Sequence, residues 1–266
     1  MNQKDDLSGI ADASKPNAGR MYDYFLGGNH NFEIDRMVCE QVLKVAPHMS
    51  NFLMLIRWFL SEATTRLCKE GFDKFLDFAS GLPTMDHIHQ VAPEGTKVIY
   101  SDIDPICVAY AQEILGDNPN VRFLQCDAGK PEELLDSGIV EELFGNDRKV
   151  AIGVNGVIYF MPDEKVAHSL KVLYDWADEG SKLFLCDADT SEKTEDGQKT
   201  IDIYEKSGQP MYLRPLDKTL ELIKPWTIDE PGVKLLEEWV DMDARVSANV
   251  KETWGSGALN GIILKK

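Results

Sequence analysis

Three observations predict an α/β fold built on a parallel sheet. From Phe72 onward, short apolar runs alternate with helix-length segments, the pattern of strands joined by right-handed helical crossovers. Proline stands where two of those segments begin, at Asp104-Pro105 and Lys130-Pro131, its favoured first-turn position. Three successive apolar runs then end on a carboxylate: Lys74-Phe75-Leu76-Asp77, Val98-Ile99-Tyr100-Ser101-Asp102 and Val121 through Cys126-Asp127. Ligands of open α/β sheets sit beyond the carboxyl ends of the strands. Acids at three of those ends describe a pocket for a nucleoside-shaped ligand whose hydroxyls and amine need hydrogen-bond acceptors.

In chain order, residues 1–15 are polar and expected to be mobile. Residues 16–71 form a helical region with an aromatic, glycine-rich opening, and 72–266 form the α/β domain. Helical patterns run to about Ala46 and from Ser50, a good N-cap, to Gly71, a good C-cap. In the second, Phe52, Leu55, Ile56, Phe59, Leu60 and Ala63 share one face. Strands are expected at 74–78, 97–102, 121–125, 149–155 and 181–187, with helices at about 84–92, 105–116, 131–144 and 163–178. Residues 189–208 read as a helix and loops, and 233–240 and 259–264 as two further strands.

The chain has 266 residues, 28 basic against 45 acidic, and a net charge of −17. Such a surface repels phosphate backbones and anionic membranes, so neither nucleic acid nor a membrane is an expected partner. Five scattered cysteines without C-x-x-C spacing fit a reducing cytoplasm. The N-terminus has no signal-like apolar core. The longest apolar stretch, about Phe52 to Leu60, is interrupted by Arg57 and too short to span a bilayer.

Asp77-x-Ala79-x-Gly81 reads as a strand, a tight turn and a helix start, where a ligand can approach the backbone closely; alternatively Gly81 is only a loop glycine. Asp102 is placed to take ribose hydroxyls, and Asp104 to cap the helix starting at Pro105. Asp127 is placed to accept from an exocyclic amine, with the Ala128 N–H beside it, or else to cap the helix near Pro131. The segment Tyr22–Phe32 reads as a lid over the ligand, or as a loop wedged into the core by its aromatic side chains. His87 and His89, two apart, make a poor metal pair on a helix, and no metal site is expected. His30 is the one histidine inside the lid segment and the one candidate for chemistry.

These residues resemble the class I S-adenosylmethionine-dependent methyltransferases, and more narrowly the S-adenosyl methyltransferase family once catalogued as DUF574. The opening signature of that family, A-R-x-Y-D-Y-x-L-G-G-x-x-N-F-x-x-D-R, stands here as Gly19-Arg20-Met21-Tyr22-Asp23-Tyr24-Phe25-Leu26-Gly27-Gly28-Asn29-His30-Asn31-Phe32-Glu33-Ile34-Asp35-Arg36. F-L-D-x-G-x-G-L-P-T follows as Phe75 to Thr84, and V-x-Y-x-D-x-D-P as Val98 to Pro105. The resemblance covers about residues 16–264. It implies a Rossmann-like, seven-stranded, mostly parallel sheet of order 3-2-1-4-5-7-6, its last strand antiparallel, beneath an N-terminal helical cap.

The same resemblance implies S-adenosylmethionine as cofactor and S-adenosylhomocysteine as product. Asp77 with Ala79, Ser80 and Gly81 would face the methionine end, Asp102 and Ile103 the ribose side, and Asp127 and Ala128 the adenine. Asn155 would face the reactive end, and Tyr22, Gly27, Gly28 and Asn31 would close the lid. The acceptor is expected to be a small molecule and the chain a monomer or homodimer. Two departures stand out. Ala79 replaces the first loop glycine, and Ile158-Tyr159-Phe160-Met161-Pro162-Asp163 replaces the family's L-H-F-x-x-D. Tyr159 and His30 are therefore the candidates for a general base. The rival expectations are a non-catalytic protein that keeps the cofactor as sensor or scaffold, and an NAD(P)-dependent oxidoreductase, against which Asp77 and the single-glycine loop argue.

Overall fold

The structure, a computed structural model, describes residues 14–188, 195–245 and 259–266. Five parallel strands form its centre: β1 (Lys74–Phe78), β2 (Lys97–Asp102), β3 (Val121–Gln125), β4 (Ala151–Val154) and β5 (Lys182–Ala188). The short β6 (Thr227–Ile228) and β7 (Lys234–Leu235) both pair antiparallel to β8 (Leu259–Lys265), which itself runs antiparallel to β5. The order is β3-β2-β1-β4-β5-β8-β6, with β7 on β8. That is the expected order, with the last strand in chain order inserted between the fifth and the sixth. The sheet has eight strands rather than seven, because its outer edge is split between two short pieces.

Strands β1, β2, β4 and β5 are buried along nearly their whole length, as continuous apolar runs are when helices cover both sheet faces. Those helices include α3 (Met49–Lys69), α4 (Ile88–Val91), α5 (Pro105–Leu115), α6 (Glu132–Leu135), α7 (Ile139–Phe144) and α8 (Asp163–Trp176). The apolar face of α3 expected from its spacing is buried, with Leu55, Phe59 and Ala63 fully enclosed. The Phe59 ring meets Phe184 of β5 and Trp239 edge-on at 6.4 and 5.3 Å.

Ahead of α3 lie α1 (Ala18–Phe25) and α2 (Glu33–Val45), and after β5 come α9 (Glu195–Lys206), α10 (Leu216–Leu222), α11 (Leu236–Trp239) and α12 (Met242–Arg245). Met21, Phe25, Val38, Cys39 and Val42 share a separate small core with Tyr204 of α9. This small core thus joins the N-terminal helices to the helix that follows β5.

Several expected boundaries move. The helix at 131–144 is two helices, broken where Gly138 adopts a left-handed φ of 81°. The helix at 84–92 is reduced to one turn at α4. The strand at 233–240 is two residues of strand followed by α11, because Leu236 and Val240 bury four residues apart, at helical spacing. Ser50 lies inside α3, whose N-cap is His48. Residues 1–13 of the expected mobile N-terminus and 189–194 of the expected helix-and-loop stretch lie outside the described residues.

Candidate functional site

Asp77, one residue before the end of β1, lies between Tyr100 of β2 and Gly153 of β4. A Cβ at Gly153 would collide with Asp77 Oδ1, so the missing side chain is what lets this carboxylate lie over β4. Asp77 is 2% exposed, and its Oδ2 has no partner. Burial pushes its carboxyl up to about 7, opposed by the Ser80 hydroxyl and the Arg57 charge and assisted by Asp102.

The loop after β1 is pinned by Ser80, whose Oγ donates to Asp77 O at 2.7 Å and whose N–H donates to Ser101 O at 2.8 Å. Ala79 holds a left-handed φ of 54°, a conformation strained for any residue with a Cβ. Gly81 donates its N–H to Asp102 Oδ2 at 3.0 Å, and the space where its Cβ would stand is open. Asp102 Oδ1 accepts from Asp104 N–H at 2.9 Å. Burial raises the Asp102 carboxyl to about 6 despite those two bonds. Each of its oxygens keeps acceptor capacity for a ligand hydroxyl. Ile103, next in sequence, is 57% exposed.

Asp104 caps α5 as expected, its Oδ1 accepting from Ile106 N–H at 3.0 Å. Asp127 stands apart from Asp77 and Asp102 in its bonding. Its Oδ1 accepts from Gly129 N–H at 2.8 Å, and its Oδ2 pairs with Lys165 of α8 at 3.1 Å. The Ala128 carbonyl accepts from Ser169 Oγ at 2.7 Å. Asn155, just past β4, donates from Nδ2 to Ile56 O at 3.1 Å, while its buried Oδ1 has no partner.

The cap closes over this floor. Gly19 of α1 passes directly above Gly81; a Cβ on Gly19 would lie 3.9 Å from Gly81 Cα. Arg20 ties the cap down, reaching Asp35 at 2.8 Å and Asp104 at 2.6 Å. Asp23 organises the turn after α1: its carboxylate accepts from His30 N–H and Asn31 Nδ2, at 2.8 and 3.0 Å. Gly27 supplies a φ of 80° in that turn, and a Cβ on Gly28 would collide with Asp23. Asn31 is also held by the Gly28 carbonyl and by Arg36. His30 packs edge-on against Tyr110, 4.9 Å between centroids, with Nδ1 buried and unpartnered. Tyr22 donates its hydroxyl to Leu53 O at 3.0 Å.

Tyr159, in a 3-10 turn at Ile158–Phe160, is 6% exposed. Burial, with the neighbouring Cys186, Tyr22 and Tyr204, pushes its hydroxyl well above the usual phenol range. Such a group stays protonated near neutral pH and donates a hydrogen bond rather than accepting a proton. His87 and His89 are brought together, contrary to the helical reading, because His87 precedes α4 in extended backbone; both rings meet Tyr100 edge-on.

Arg57 is the residue whose place in the site the pattern of strand-end acids does not reveal. It lies on α3, 4% exposed, stacked 5.1 Å from the Tyr22 ring centroid, with Nε and Nη1 unpartnered. Its one signal is a lone cation in an otherwise apolar run. Among the described residues no cluster of His, Cys, Asp or Glu could hold a metal, and no helix is long and apolar enough to cross a membrane.

An open sheet in this order, with a glycine loop after the first strand and an acid ending the second, defines the Rossmann-like methyltransferase class. The chain belongs to the S-adenosyl methyltransferase family, whose profile matches residues 4–263. It is similar to a DUF574 family protein from Streptomyces avermitilis, at 24% identity and a TM-score of 0.84, covering 96% of this chain and 99% of that one. It is also similar to a solved structure from Thermobifida fusca, at 26% identity and a TM-score of 0.83, covering 97% of both. Magnesium protoporphyrin IX methyltransferase from Synechocystis, solved with bound S-adenosylhomocysteine, shares the fold at a TM-score of 0.55 and 13% identity, over 98% of this chain and 99% of that one. No curated protein matches the chain.

Proposed function

We propose that the carboxyl end of the sheet binds S-adenosylmethionine and that the chain transfers its methyl group to a small-molecule acceptor. One observation carries this reading. Asp77 Oδ2 and Asn155 Oδ1 are buried acceptors without partners at adjacent strand ends, and buried acceptors are otherwise almost always satisfied. A ligand ammonium group is the kind of donor that would satisfy both. Asp102, with acceptor capacity left on both oxygens, suits a ribose diol. The exposed Ile103 beside it suits the face of a purine.

The Ala79–Gly81 backbone faces the methionine end, Asp127 and the Ala128 N–H the adenine edge. Tyr22, Gly27, Gly28 and Asn31 shape the roof, the last two through Asp23. The sulfonium supplies an electrophilic methyl, so the protein needs no nucleophile of its own. Holding an acceptor in line accounts for roughly 7–11 kcal/mol of barrier reduction. Tyr159, kept neutral, positions the acceptor by hydrogen bond. His30, with its free Nδ1, is the remaining candidate for taking a proton.

Calorimetric titration with S-adenosylmethionine and S-adenosylhomocysteine tests the reading. The wild type binds both, and Asp102→Ala weakens binding roughly ten- to a hundredfold, as expected for bonds to a charged acceptor. Absence of binding, or unchanged affinity in the variant, would sink it. The strained Ala79, in the place of a loop glycine, favours one alternative, a cofactor-binding protein without turnover. Methyl transfer to any member of an acceptor panel would rule that out.

A further inference from the structure

The two larger cores of the molecule meet along a seam of aromatic rings. Leu53, Phe160 and Met211, each partly buried, pack against both the sheet core and the small core that holds Met21 and Tyr204. The Phe160 ring lies 5.1 Å from the Tyr159 ring and 6.0 Å from that of Tyr204. Both tyrosines are 6% exposed, yet neither hydroxyl has a hydrogen-bond partner among the described residues. Buried phenols ordinarily find one. Tyr22 does so, spending its hydroxyl on Leu53 O.

The Tyr159 hydroxyl stands beside the end of β4: a Cβ at Gly156, one residue past Asn155, would lie 3.4 Å from it. The turn that carries it is clamped. Arg214 donates Nη1 to Ile158 O at 3.0 Å and Nη2 to Met161 O at 2.7 Å, and the Tyr212 N–H donates to Tyr159 O at 2.7 Å. A buried guanidinium spent on two loop carbonyls preorganises the Tyr159–Phe160 pair. Arg214 is also paired with Asp163 at 3.0 Å, so its charge is already answered. The carboxylate that bears on Tyr159 is Asp187, in a chain of net charge −17, and it repels a second anion.

We propose that Tyr159, Phe160 and Tyr204 form the methyl-acceptor subsite, and that the acceptor is a flat aromatic molecule, not an anion, whose oxygen or nitrogen atoms accept from the two phenols. This rests on the cofactor reading above and adds to it the class of acceptor. The three rings offer faces and edges to an aromatic partner, contacts that a saturated skeleton of the same size does not make.

The test uses the full chain and calorimetry. Titration with S-adenosylhomocysteine comes first. The saturated protein is then titrated with three probes of one bicyclic skeleton: 2-naphthol, its saturated counterpart decahydro-2-naphthol, and the anion 2-naphthoate. The wild type is expected to bind 2-naphthol roughly tenfold or more tightly than either of the others. Tyr159→Phe and Tyr204→Phe each weaken 2-naphthol roughly two- to tenfold, the range for one neutral hydrogen bond. Phe160→Leu brings the aromatic and saturated probes within about threefold of each other. Affinity for S-adenosylhomocysteine is unchanged in all three variants, whereas a merely structural role would lower it along with the probe. Equal binding of the aromatic and saturated probes by the wild type, preference for the anion, or full 2-naphthol affinity in Tyr204→Phe overturns the assignment. Binding of S-adenosylhomocysteine without 2-naphthol defeats this proposal alone. No binding of S-adenosylhomocysteine defeats the cofactor reading, and this proposal with it.

Discussion

Arg20 in the cap and Arg57 beneath it are both guanidinium groups less than 5% exposed. Arg20 spends its donors inside the fold: Nε and Nη2 on Asp35, Nη1 on Asp104 and Nη2 again on the Lys15 carbonyl. Arg57 leaves two donor atoms idle. The carboxylates divide the same way. Asp35 serves Arg20 and the backbone N–H groups of Asn17 and Phe32, whereas Asp77 keeps an oxygen unpartnered. A closed polar network holds elements together, whereas an open one leaves donors and acceptors unspent within the fold. Burial alone does not distinguish them; the partner count does.

The sharpest way to break that contrast is Arg20→Met. It strands two buried carboxylates and should cost about 3–5 kcal/mol of stability, read from urea unfolding. An equal loss in Arg57→Met would erase the distinction between the two arginines.

Asp77→Asn probes the open side through pH. Because the folded state raises this carboxyl from an ordinary value near 4 to about 7, the native protein binds its proton more tightly than the unfolded chain. The contribution of Asp77 therefore favours the fold least above about pH 7, and the penalty vanishes as pH falls towards 4. The full span is roughly 4 kcal/mol. Asp102, raised to about 6, acts in the same direction. Unfolding midpoints of wild type and Asp77→Asn should coincide near pH 4 and separate near pH 8, the variant being more stable while losing the cofactor. A variant less stable at both values would place Asp77 among the closed groups.

Tyr159→Phe is expected to lower turnover less than tenfold in a methyl-transfer assay, since a hydroxyl held protonated only positions. A loss of a hundredfold or more would make it the base. Ala79→Gly should have the smallest effect, a gain of about 1 kcal/mol in thermal unfolding from relief of the left-handed backbone.

Strands β1, β2 and β3 match their expected boundaries because each is a short, mostly apolar run between turn residues. Asp77 and Asp102 announce themselves by ending such runs. The short β6 and β7 carry no pattern, since two residues cannot display a period. Asp127 shares the strand-end signature, but its pairing with Lys165 depends on how α8 crosses the sheet. Arg57 is visible in the sequence only as an interruption. That its donors go unanswered is a property of three elements meeting, α3, β1 and β4, and no single segment encodes it.

Strand β8 has a consequence for how the molecule is made. It separates β5 from β6 and β7, and each of those short strands has β8 as its sheet neighbour. The chain from Thr227 to Leu235 therefore has no ladder to join until Leu259–Lys265 has been synthesised. One flank of the sheet stays an open edge during translation, a surface prone to mispairing. The floor of the site, made by β1, β2 and β4, is complete well before then. The order of the strands thus separates the part of the sheet that carries the site from the part that the last strand of the chain must close.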